Sequence, residues 1–247
     1  VDLEALDTAF ERLKEEVAPD ILRYYRTQCP QGDHLADVMY VFWVKKVTCV
    51  GCGQDVRLFP SFRLATKKDA RIKKDVHTIF CPQCYHMFRV DSLRDETRCK
   101  NEECGHTFVP GEGYSSRGYY TCPACGQRER VLDAVRRKEG PPEAEMFAIE
   151  YYCPTCEREG YDRRGYKPAD AEDLALFAEA KAEFERQRDE LLFPRQRVPQ
   201  GMKTKDLLNY GYEYWHQMFN ERQLLCLGML LDAILHIPDT NIRELLV

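Results

Sequence analysis

The chain has 247 residues, of which 44% are hydrophobic and 31% charged, and its formal net charge at pH 7 is −5. A core can therefore form. No apolar run is long enough to span a membrane and no signal peptide precedes the acidic first helix, so we expect a cytoplasmic protein of one or two domains. The overall charge gives no case for nucleic-acid binding.

The N-terminal segment, residues 1–40, is predicted to be helical. Residues 2–27 carry apolar side chains three and four positions apart, and Pro19 is expected to kink or divide this helix. The β-forming run 38–44 then predicts a strand that leads into the first cysteine pair. The apolar stripe of the helix consists of Leu3, Leu6, Phe10, Leu13 and Val17.

Residues 41–160 are predicted to form a region of several zinc-ribbon hairpins. Short β-like runs alternate here with close pairs of cysteines, and one helix is expected near 130–138. Ribbons are built this way, because the tips of their hairpins carry the metal ligands. The predicted strands are 57–64, 76–80, 87–90, 119–121 and 146–152.

The C-terminal region, residues 161–247, is predicted to be helical. Asp170 can cap a helix over 170–192, and Asn220 with Gln223 can form the capping box of a later helix. That later helix is apolar nearly all round, which predicts burial against a partner element. The expected fold class is thus α+β, with a zinc-ribbon region between an N-terminal helix and a C-terminal helical region.

The last helix signals suggest a chain that continues. The apolar helix is expected to run to about His236, where Pro238 ends it and Asp239 begins another helix. Since the sequence stops within that helix, it has the form of an excerpt from a longer protein.

Ten of the twelve cysteines fall into five close pairs, four with a two-residue gap and one with a four-residue gap. Such a gap lets both thiolates of a tight turn reach one ion, and five pairs predict structural zinc rather than disulfides or redox chemistry. We expect two or more zinc ions as cofactors. The predicted ligands are Cys49, Cys52, Cys81, Cys84, Cys99, Cys104, Cys122, Cys125, Cys153 and Cys156.

Spacing leaves open which pairs share an ion. Adjacent pairing joins 49/52 with 81/84, and 99/104 with 122/125. A second arrangement is suggested by the sequence Cys-x-x-Cys-Gly-Gln, which occurs at both 49–54 and 122–127. It consists of two tandem ribbons and leaves the pair 99/104 without a partner pair. A nested arrangement places 81/84 with 99/104 inside an outer site of 49/52 with 122/125.

Other cysteines and the histidines are assigned simpler roles. Cys29 and Cys226 stand alone, and Cys226 is predicted to be a small core residue. Three histidines lie close to the cysteine pairs and can complete a mixed site, although hydrogen-bonding or surface roles are favoured. They are His77, His86 and His106.

Positive charge concentrates in the middle of the chain. Residues 41–139 hold 19 Lys and Arg against 12 Asp and Glu, and each four-cysteine zinc site removes two units of this excess. The densest basic run is predicted to contact nucleic acid. Its members are Arg63, Lys67, Lys68, Arg71, Lys73 and Lys74.

No enzymatic motif is present. The glycines form neither a phosphate loop nor a dinucleotide fingerprint, and no H-E-x-x-H or deaminase-type zinc motif occurs. Catalytic zinc usually keeps an open position, whereas the ligands here are abundant thiolates. We therefore predict no catalytic and no organic-cofactor-binding residue in this chain.

One stretch resembles a known family. Tyr210-Gly-Tyr212 is followed by Trp215 and by Phe219-Asn-Glu-Arg-Gln-Leu-Leu225, as in the adenine-specific DNA methylases that contain a zinc ribbon. Val44-Lys-Lys-Val-Thr-Cys49 and Ser116-Arg-Gly-Tyr-Tyr-Thr-Cys-Pro-Ala-Cys-Gly126 are also similar. The resemblance covers the chain from about residue 38 onward.

The resemblance implies transfer of a methyl group from S-adenosylmethionine to adenine N6 in DNA. The family's glycine loop precedes the ribbon and its Asp-Pro-Pro-Tyr motif follows the Arg-Gln helix; neither occurs here. The resemblance thus implies a segment without activity, whose partners are DNA and the rest of a methyltransferase that binds S-adenosylmethionine. It also favours nested pairing and gives Arg222 and Gln223 either a DNA contact or a bracing role.

Two hypotheses follow. The first is a zinc-binding segment of an adenine-specific DNA methyltransferase that contacts DNA or supports the fold. The second is a stand-alone zinc-ribbon protein that binds nucleic acid or acts as a scaffold, without enzymatic activity. A rubredoxin-like redox carrier ranks behind both.

Overall fold

A computed structural model describes residues 2–69 and 74–247, and these residues form two compact units. Unit 1 comprises Val1–Val38, Asp170–Pro199 and Tyr212–Val247. Unit 2 comprises Met39–Ala169 and Gln200–Gly211. Both the predicted N-terminal helix and most of the predicted C-terminal region thus belong to unit 1.

The fold is α+β, as predicted, with helices and antiparallel sheets. The helices are α1 (Leu3–Glu16), α2 (Ala18–Leu22), α3 (Val131–Arg137), α4 (Pro154–Arg158), α5 (Ala171–Gln187), α6 (Lys205–Asn209), α7 (Glu221–Leu235) and α8 (Thr240–Leu246). The strands are β1 (Arg26–Gln28), β2 (Leu35–Thr48), β3 (Asp55–Arg57), β4 (Arg63–Asp69), β5 (Lys74–Phe80), β6 (Met87–Val90), β7 (Thr97–Arg98), β8 (Thr107–Phe108), β9 (Ser115–Ser116), β10 (Tyr119–Thr121), β11 (Arg128–Arg130), β12 (Ala144–Tyr152) and β13 (Arg164–Pro168). In the described parts of the chain no helix is both long and apolar enough to cross a membrane.

Unit 1 is built around α5 and α7. Asp170 caps α5 and receives the backbone N–H groups of Glu172 and Asp173, both at 3.0 Å. Asn220 and Gln223 form the predicted capping box of α7. The core between these helices consists of Tyr24, Ala180, Phe184, Leu191, Leu224, Leu225 and Cys226. Cys226 is therefore a core residue, as predicted.

The first predicted helix is divided, and its last part is not helical. Pro19 lies in the first turn of α2, where the missing N–H costs nothing, so the break comes at Val17. The prediction of helix is wrong for residues 26 and 27, which belong to β1 and pair with the start of β2. Tertiary pairing here outweighs local periodicity.

In the described part of unit 2, β2, β3, β12 and β13 belong to one sheet, in which β2 lies beside β12, and the other strands form smaller sheets. The later part of β2 pairs with β3, β12 pairs with β13, and β4, β5 and β6 form a three-stranded sheet. Two smaller groups of strands are also present, namely the hairpin of β7 and β8 and the sheet of β9, β10 and β11. The predicted strand over 57–64 is wrong for residues 58–62, which link β3 to β4 as irregular chain, although the N–H of Leu58 still donates to the carbonyl oxygen of Lys45 at 2.8 Å.

Phenylalanine rings fill the centre of unit 2. The ring centroids of Phe59 lie 4.9 Å from those of both Phe80 and Phe147, and Phe62 meets Phe108 edge-on at 5.6 Å. These rings pack around the strands that enter the second group of cysteines. Gly113 permits this packing, because a Cβ there would lie 2.1 Å from the carbonyl oxygen of Phe59.

Candidate metal centres

Two similar turns carry Cys49 with Cys52 and Cys122 with Cys125. The N–H of Gly53 donates to the carbonyl oxygen of Cys49 at 2.9 Å, and the N–H of Gly126 donates to that of Cys122 at the same distance. Both glycines have φ of +75°, a left-handed conformation that favours glycine. The repeated Cys-x-x-Cys-Gly-Gln sequence thus builds the same turn twice, at the ends of β2 and β10.

These turns converge on one point, which we call the outer site (Cys49, Cys52, Cys122 and Cys125). Its four sulfur atoms all lie within 4.8 Å of one another. The Sγ atoms of Cys49 and Cys125 are 3.6 Å apart, and those of Cys52 and Cys122 are 3.7 Å apart. A zinc ion with Zn–S bonds of about 2.3 Å requires a tetrahedron whose edge is about 3.8 Å. The donor set fits zinc closely.

The other convergent group is the inner site (Cys81, Cys84, Cys99 and Cys104), whose sulfur atoms also lie within 4.8 Å of one another. Cys81 Sγ is 3.8 Å from Cys104 Sγ, and Cys84 Sγ is 3.6 Å from Cys99 Sγ. A disulfide requires about 2.05 Å, so these sulfurs are not bridged. Four thiols at this spacing again match a tetrahedral ion.

The structure therefore shows the nested arrangement. Cysteine pairs 81/84 and 99/104 converge within the chain segment that separates the two halves of the outer site. Adjacent pairing and tandem ribbons are both wrong, because neither brings these sulfurs together. Spacing could not decide this, since the local turns are the same in all three arrangements.

The two sites differ in exposure. Cys81 is 0% exposed and Cys99 is buried, whereas Cys52 and Cys125 of the outer site are exposed. Without an ion, burial raises the pKa of the Cys81 thiol to about 12. At Cys49 burial opposes ionisation, but the backbone N–H groups of Cys52 and Gly51 and the neighbouring thiols outweigh it and lower the pKa to about 7. The outer site also has a weakly acidic thiol, because the neighbouring thiols outweigh the Gln127 N–H and raise the pKa of Cys125 to about 12. Both sites therefore need a divalent cation to hold all four sulfurs as thiolates.

Because Cys81 is buried and Cys125 is exposed, single substitutions at these two positions are expected to have unequal effects. Cys81→Ser is expected to remove most of the roughly 10 kcal/mol that a structural zinc contributes, because no water can replace the buried ligand. Cys125→Ser is expected to leave unit 2 folded, with faster loss of zinc, since water can reach the vacated position. Thermal midpoints and zinc release to a chromophoric chelator measure both effects. Equal midpoints for the two variants would contradict the assigned burial.

The fifth cysteine pair lies at the start of α4. Cys153 and Cys156 are fully buried, and their sulfur atoms lie within 4.8 Å of each other, as two ligands of one ion would. Cys153 Sγ also accepts the N–H of Cys156 at 3.4 Å, so it acts as the N-terminal cap of the helix. Zinc binding by this pair stays a prediction.

Unit 1 contains a donor pair that the sequence analysis missed. Cys29 and His34 flank the β1–β2 turn, the N–H of Cys29 donates to the carbonyl oxygen of His34 at 2.9 Å, and their side-chain donor atoms lie within 4.8 Å. The available signal was a cysteine and a histidine on either side of Pro30-Gln-Gly-Asp33, a sequence rich in turn-forming residues. A thiol and an imidazole are both ligands that zinc accepts.

The donor atoms define the chemistry of the outer and inner sites without reference to any relative. No family model matches the chain, and no curated protein or solved structure matches it either. The structure shows two four-cysteine groups, each of which can hold a metal ion.

The three histidines near the cysteine pairs have other contacts. His77 Nδ1 lies 2.8 Å from the hydroxyl of Thr66. The ring of His86 stacks near Phe88, with centroids 6.0 Å apart, and that of His106 stacks near Phe108 at 5.8 Å. Within the described residues, none of the three joins a four-ligand group.

The structure describes four of the six basic residues predicted to contact nucleic acid between positions 63 and 74. Arg63, Lys67 and Lys68 are exposed on β4. Lys74 begins β5, while Arg71 and Lys73 lie outside the described residues.

Arg222 and Gln223 are occupied within unit 1. Arg222 is 4% exposed and donates to the carbonyl oxygen of Tyr24 at 2.9 Å. The Gln223 side chain accepts the N–H of Asn220 at 3.0 Å. Of the two roles considered for Arg222, its contacts are those of a brace.

A hydrogen-bonded carboxylate supports the outer site. The buried Tyr120 precedes Cys122 by two residues, and its hydroxyl donates to Glu129 at 2.5 Å, where Arg137 also donates at 2.8 Å. The Arg137 guanidinium holds the pKa of Glu129 below its usual value. Glu129 therefore contributes stability that is present above the unfolded-state pKa of about 4.3 and is lost as the pH falls through the lower folded-state pKa.

Glu129→Gln is accordingly expected to lower the free energy of unfolding by about 1–3 kcal/mol at pH 7, because two charge-assisted hydrogen bonds are weakened. The difference between the two proteins is expected to shrink below about pH 4.3. Denaturant unfolding of both proteins across this range measures it, and the comparison cancels titration of the thiolates. A difference that grows towards low pH would contradict this role.

Proposed function

We propose that this chain is a zinc-stabilised, DNA-contacting segment of an adenine-specific DNA methyltransferase, and that it has no catalytic group of its own. The convergence of eight cysteines into two tetrahedral groups carries the proposal. The family resemblance favours the same nested pairing. The S-adenosylmethionine site and the catalytic motif would lie in the rest of the methyltransferase.

The role assigned to zinc is structural. Four thiolates complete a tetrahedral shell, so no coordination position is left for a water or a substrate. The ions would hold the ends of β2, β5 and β10, since each of these strands runs directly into a cysteine ligand. Zinc bound there would cross-link these strands, and an isolated two-stranded hairpin is marginal in water.

The proposed DNA contact rests on the exposed basic side chains of β4. Arg63, Lys67 and Lys68 lie on one strand, and exposed cationic side chains bind nucleic acid by neutralising its phosphates. We assign Arg222 no part in this contact, since its guanidinium is buried against Tyr24. DNA binding is therefore assigned to unit 2.

A titration of duplex DNA at several salt concentrations tests this assignment. Lys67→Ala with Lys68→Ala is expected to reduce the slope of log K against log salt by about 2, because each contacted phosphate contributes close to one unit. Arg136→Ala, an exposed position on α3, serves as the control. Absence of binding at low salt would remove the DNA assignment and leave the zinc assignment standing.

The second candidate is a zinc-binding scaffold with no enzymatic role. The closed coordination of both sites favours it, since neither site offers an open position for chemistry. The gene around this chain separates the two candidates. A glycine-rich cofactor loop upstream and Asp-Pro-Pro-Tyr downstream would support the methyltransferase, and their absence would support the scaffold.

A further inference from the structure

Unit 2 contains a cleft that none of the roles above uses, and we call it the aromatic cleft. It has a volume of about 630 Å³, in the range of pockets that hold a small organic ligand. Three cationic side chains and several aromatic rings line it. They include Trp43, Lys45, Arg63, Arg117, Tyr119 and Tyr210.

The charge of the aromatic cleft has one sign. Lysine and arginine contribute to its lining, and among the described residues that line it there is no aspartate or glutamate. In a chain with an overall charge of −5, a lining without carboxylates sets this surface apart. A ligand with distributed negative charge is favoured there.

The rim of the cleft is shaped by a tight hairpin. Arg117 and Gly118 connect β9 to β10 with φ of 51° and 79°, so both central residues of the turn are left-handed, as in a type I′ turn. This turn places Arg117 at the tip, where it is exposed. Tyr119, the next residue of β10, keeps 38% of its surface exposed although the Arg128 guanidinium lies 4.6 Å from its ring centre.

The walls of the cleft are held by both metal sites. Trp43 and Lys45 lie on β2, which leads to Cys49, and Tyr119 lies on β10, which leads to Cys122. The inner site anchors the opposite wall, because β5 runs from the cleft residue Phe80 directly into Cys81. The geometry of the cleft thus depends on the elements that the ions fix.

We propose that the aromatic cleft binds an unpaired stretch of nucleic acid. Bases would stack on Tyr119 and Trp43, while Lys45, Arg63 and Arg117 meet the phosphates. Every base has a π face that an aromatic side chain can cover, and cationic side chains track the backbone. Base pairs in a duplex keep these faces inside their own stack, so a duplex cannot use the rings. This inference rests on the proposed function in that it specifies the nucleic acid that unit 2 contacts.

Fluorescence anisotropy with a labelled single strand and with its duplex tests the proposal on the zinc-loaded chain. The single strand is expected to bind more tightly, and Tyr119→Ala to weaken single-strand binding about tenfold, the usual effect of losing one base stack. Tyr161→Ala is the matched control, since Tyr161 is exposed and lies outside the cleft. Zinc content and thermal midpoint of each variant establish that the fold is kept.

Two further variants separate stacking from charge. Arg117→Asn removes the cation while asparagine tolerates the left-handed backbone, and it is expected to weaken single-strand binding several-fold. Arg136→Asn is its control. In a Trp215→Phe background, Trp43 is the remaining tryptophan of the chain, and quenching of its emission by the single strand reports stacking directly.

The outcomes distinguish this inference from the proposed function. Equal affinity for single strand and duplex, or no effect of Tyr119→Ala, would overturn the cleft assignment. If Lys67→Ala with Lys68→Ala still weakens duplex binding in that case, the proposed DNA contact stands without the cleft. Tighter binding of polyglutamate than of the single strand would show that the cleft serves an acidic peptide, and would also overturn the assignment.

Discussion

Removal of zinc is expected to unfold unit 2. A structural zinc in a small ribbon contributes about 10–16 kcal/mol, as much as the whole stability of an ordinary domain. Unit 2 is sensitive to this loss because several of its strands have only two or three residues, and such hairpins are marginal in water. Near-ultraviolet circular dichroism before and after a strong chelator measures the effect.

Metal specificity and stoichiometry complete this test. Elemental analysis is expected to find at least two zinc ions per chain, and zinc or cobalt(II), but not magnesium, is expected to restore the fold, since thiolates are poor ligands for hard cations. Zinc above two per chain that disappears in Cys153→Ser belongs to the fifth pair. A metal-free protein that keeps its full signal, or cysteines found in disulfides, would contradict the metal centres.

The cysteine turns were predictable because they are local. Four residues suffice to write Cys-x-x-Cys, and the following Gly53 and Gly126 mark the left-handed position that closes each turn. One turn of the inner site departs from this rule, since Tyr85 follows Cys84 with φ of 58°, whereas Gly105 follows Cys104 with φ of 57°. Recognition of a ligand pair therefore needed only the cysteines and their spacing.

Other features depend on contacts between distant parts of the chain. The choice of nested pairing needs the path of β2 and β10, and no local pattern records it. In the same way β1 is a strand only because β2 lies beside it, so periodicity extended the first helix too far. Cap residues such as Asp170 act within three residues, and their predicted roles were confirmed.

Local sequence patterns also could not predict which helices belong to the same unit. Residues at and just after α2 share one core with α5 and α7, in which Tyr24 packs with Phe184 and Leu225. Amphipathic stripes show that each helix has a partner but do not name it. The burial of Arg222 follows from this core, and for that reason a conspicuous motif residue proved to be internal.

Arg222→Ala is expected to cost unit 1 about 3–5 kcal/mol, because it leaves a cavity and an unsatisfied carbonyl oxygen at Tyr24. The guanidinium also lies 4.5 Å from the ring centre of Tyr25, a contact that alanine cannot replace. Burial lowers the pKa of Arg222, and its Nε has no hydrogen-bond partner among the described residues, so part of its charge is poorly compensated.

Because the charge of Arg222 is poorly compensated, two substitutions can separate its contribution through packing from its contribution through charge. Arg222→Met keeps most of the volume and removes the buried charge, so it is expected to cost less than half as much as Arg222→Ala, since apolar replacement of buried charges is often nearly neutral. Gln223→Ala, which removes one half of the capping box, is the neighbouring control and should cost about 1 kcal/mol.

The same variants decide between bracing and DNA contact. A brace predicts that Arg222→Met leaves both the affinity for duplex DNA and its salt dependence unchanged, since a side chain that is 4% exposed reaches no phosphate. A DNA contact predicts the reverse, with weaker binding, a slope lower by about 1 and unaltered stability. Because the two readouts move independently, one variant measured in both assays assigns the role of this arginine.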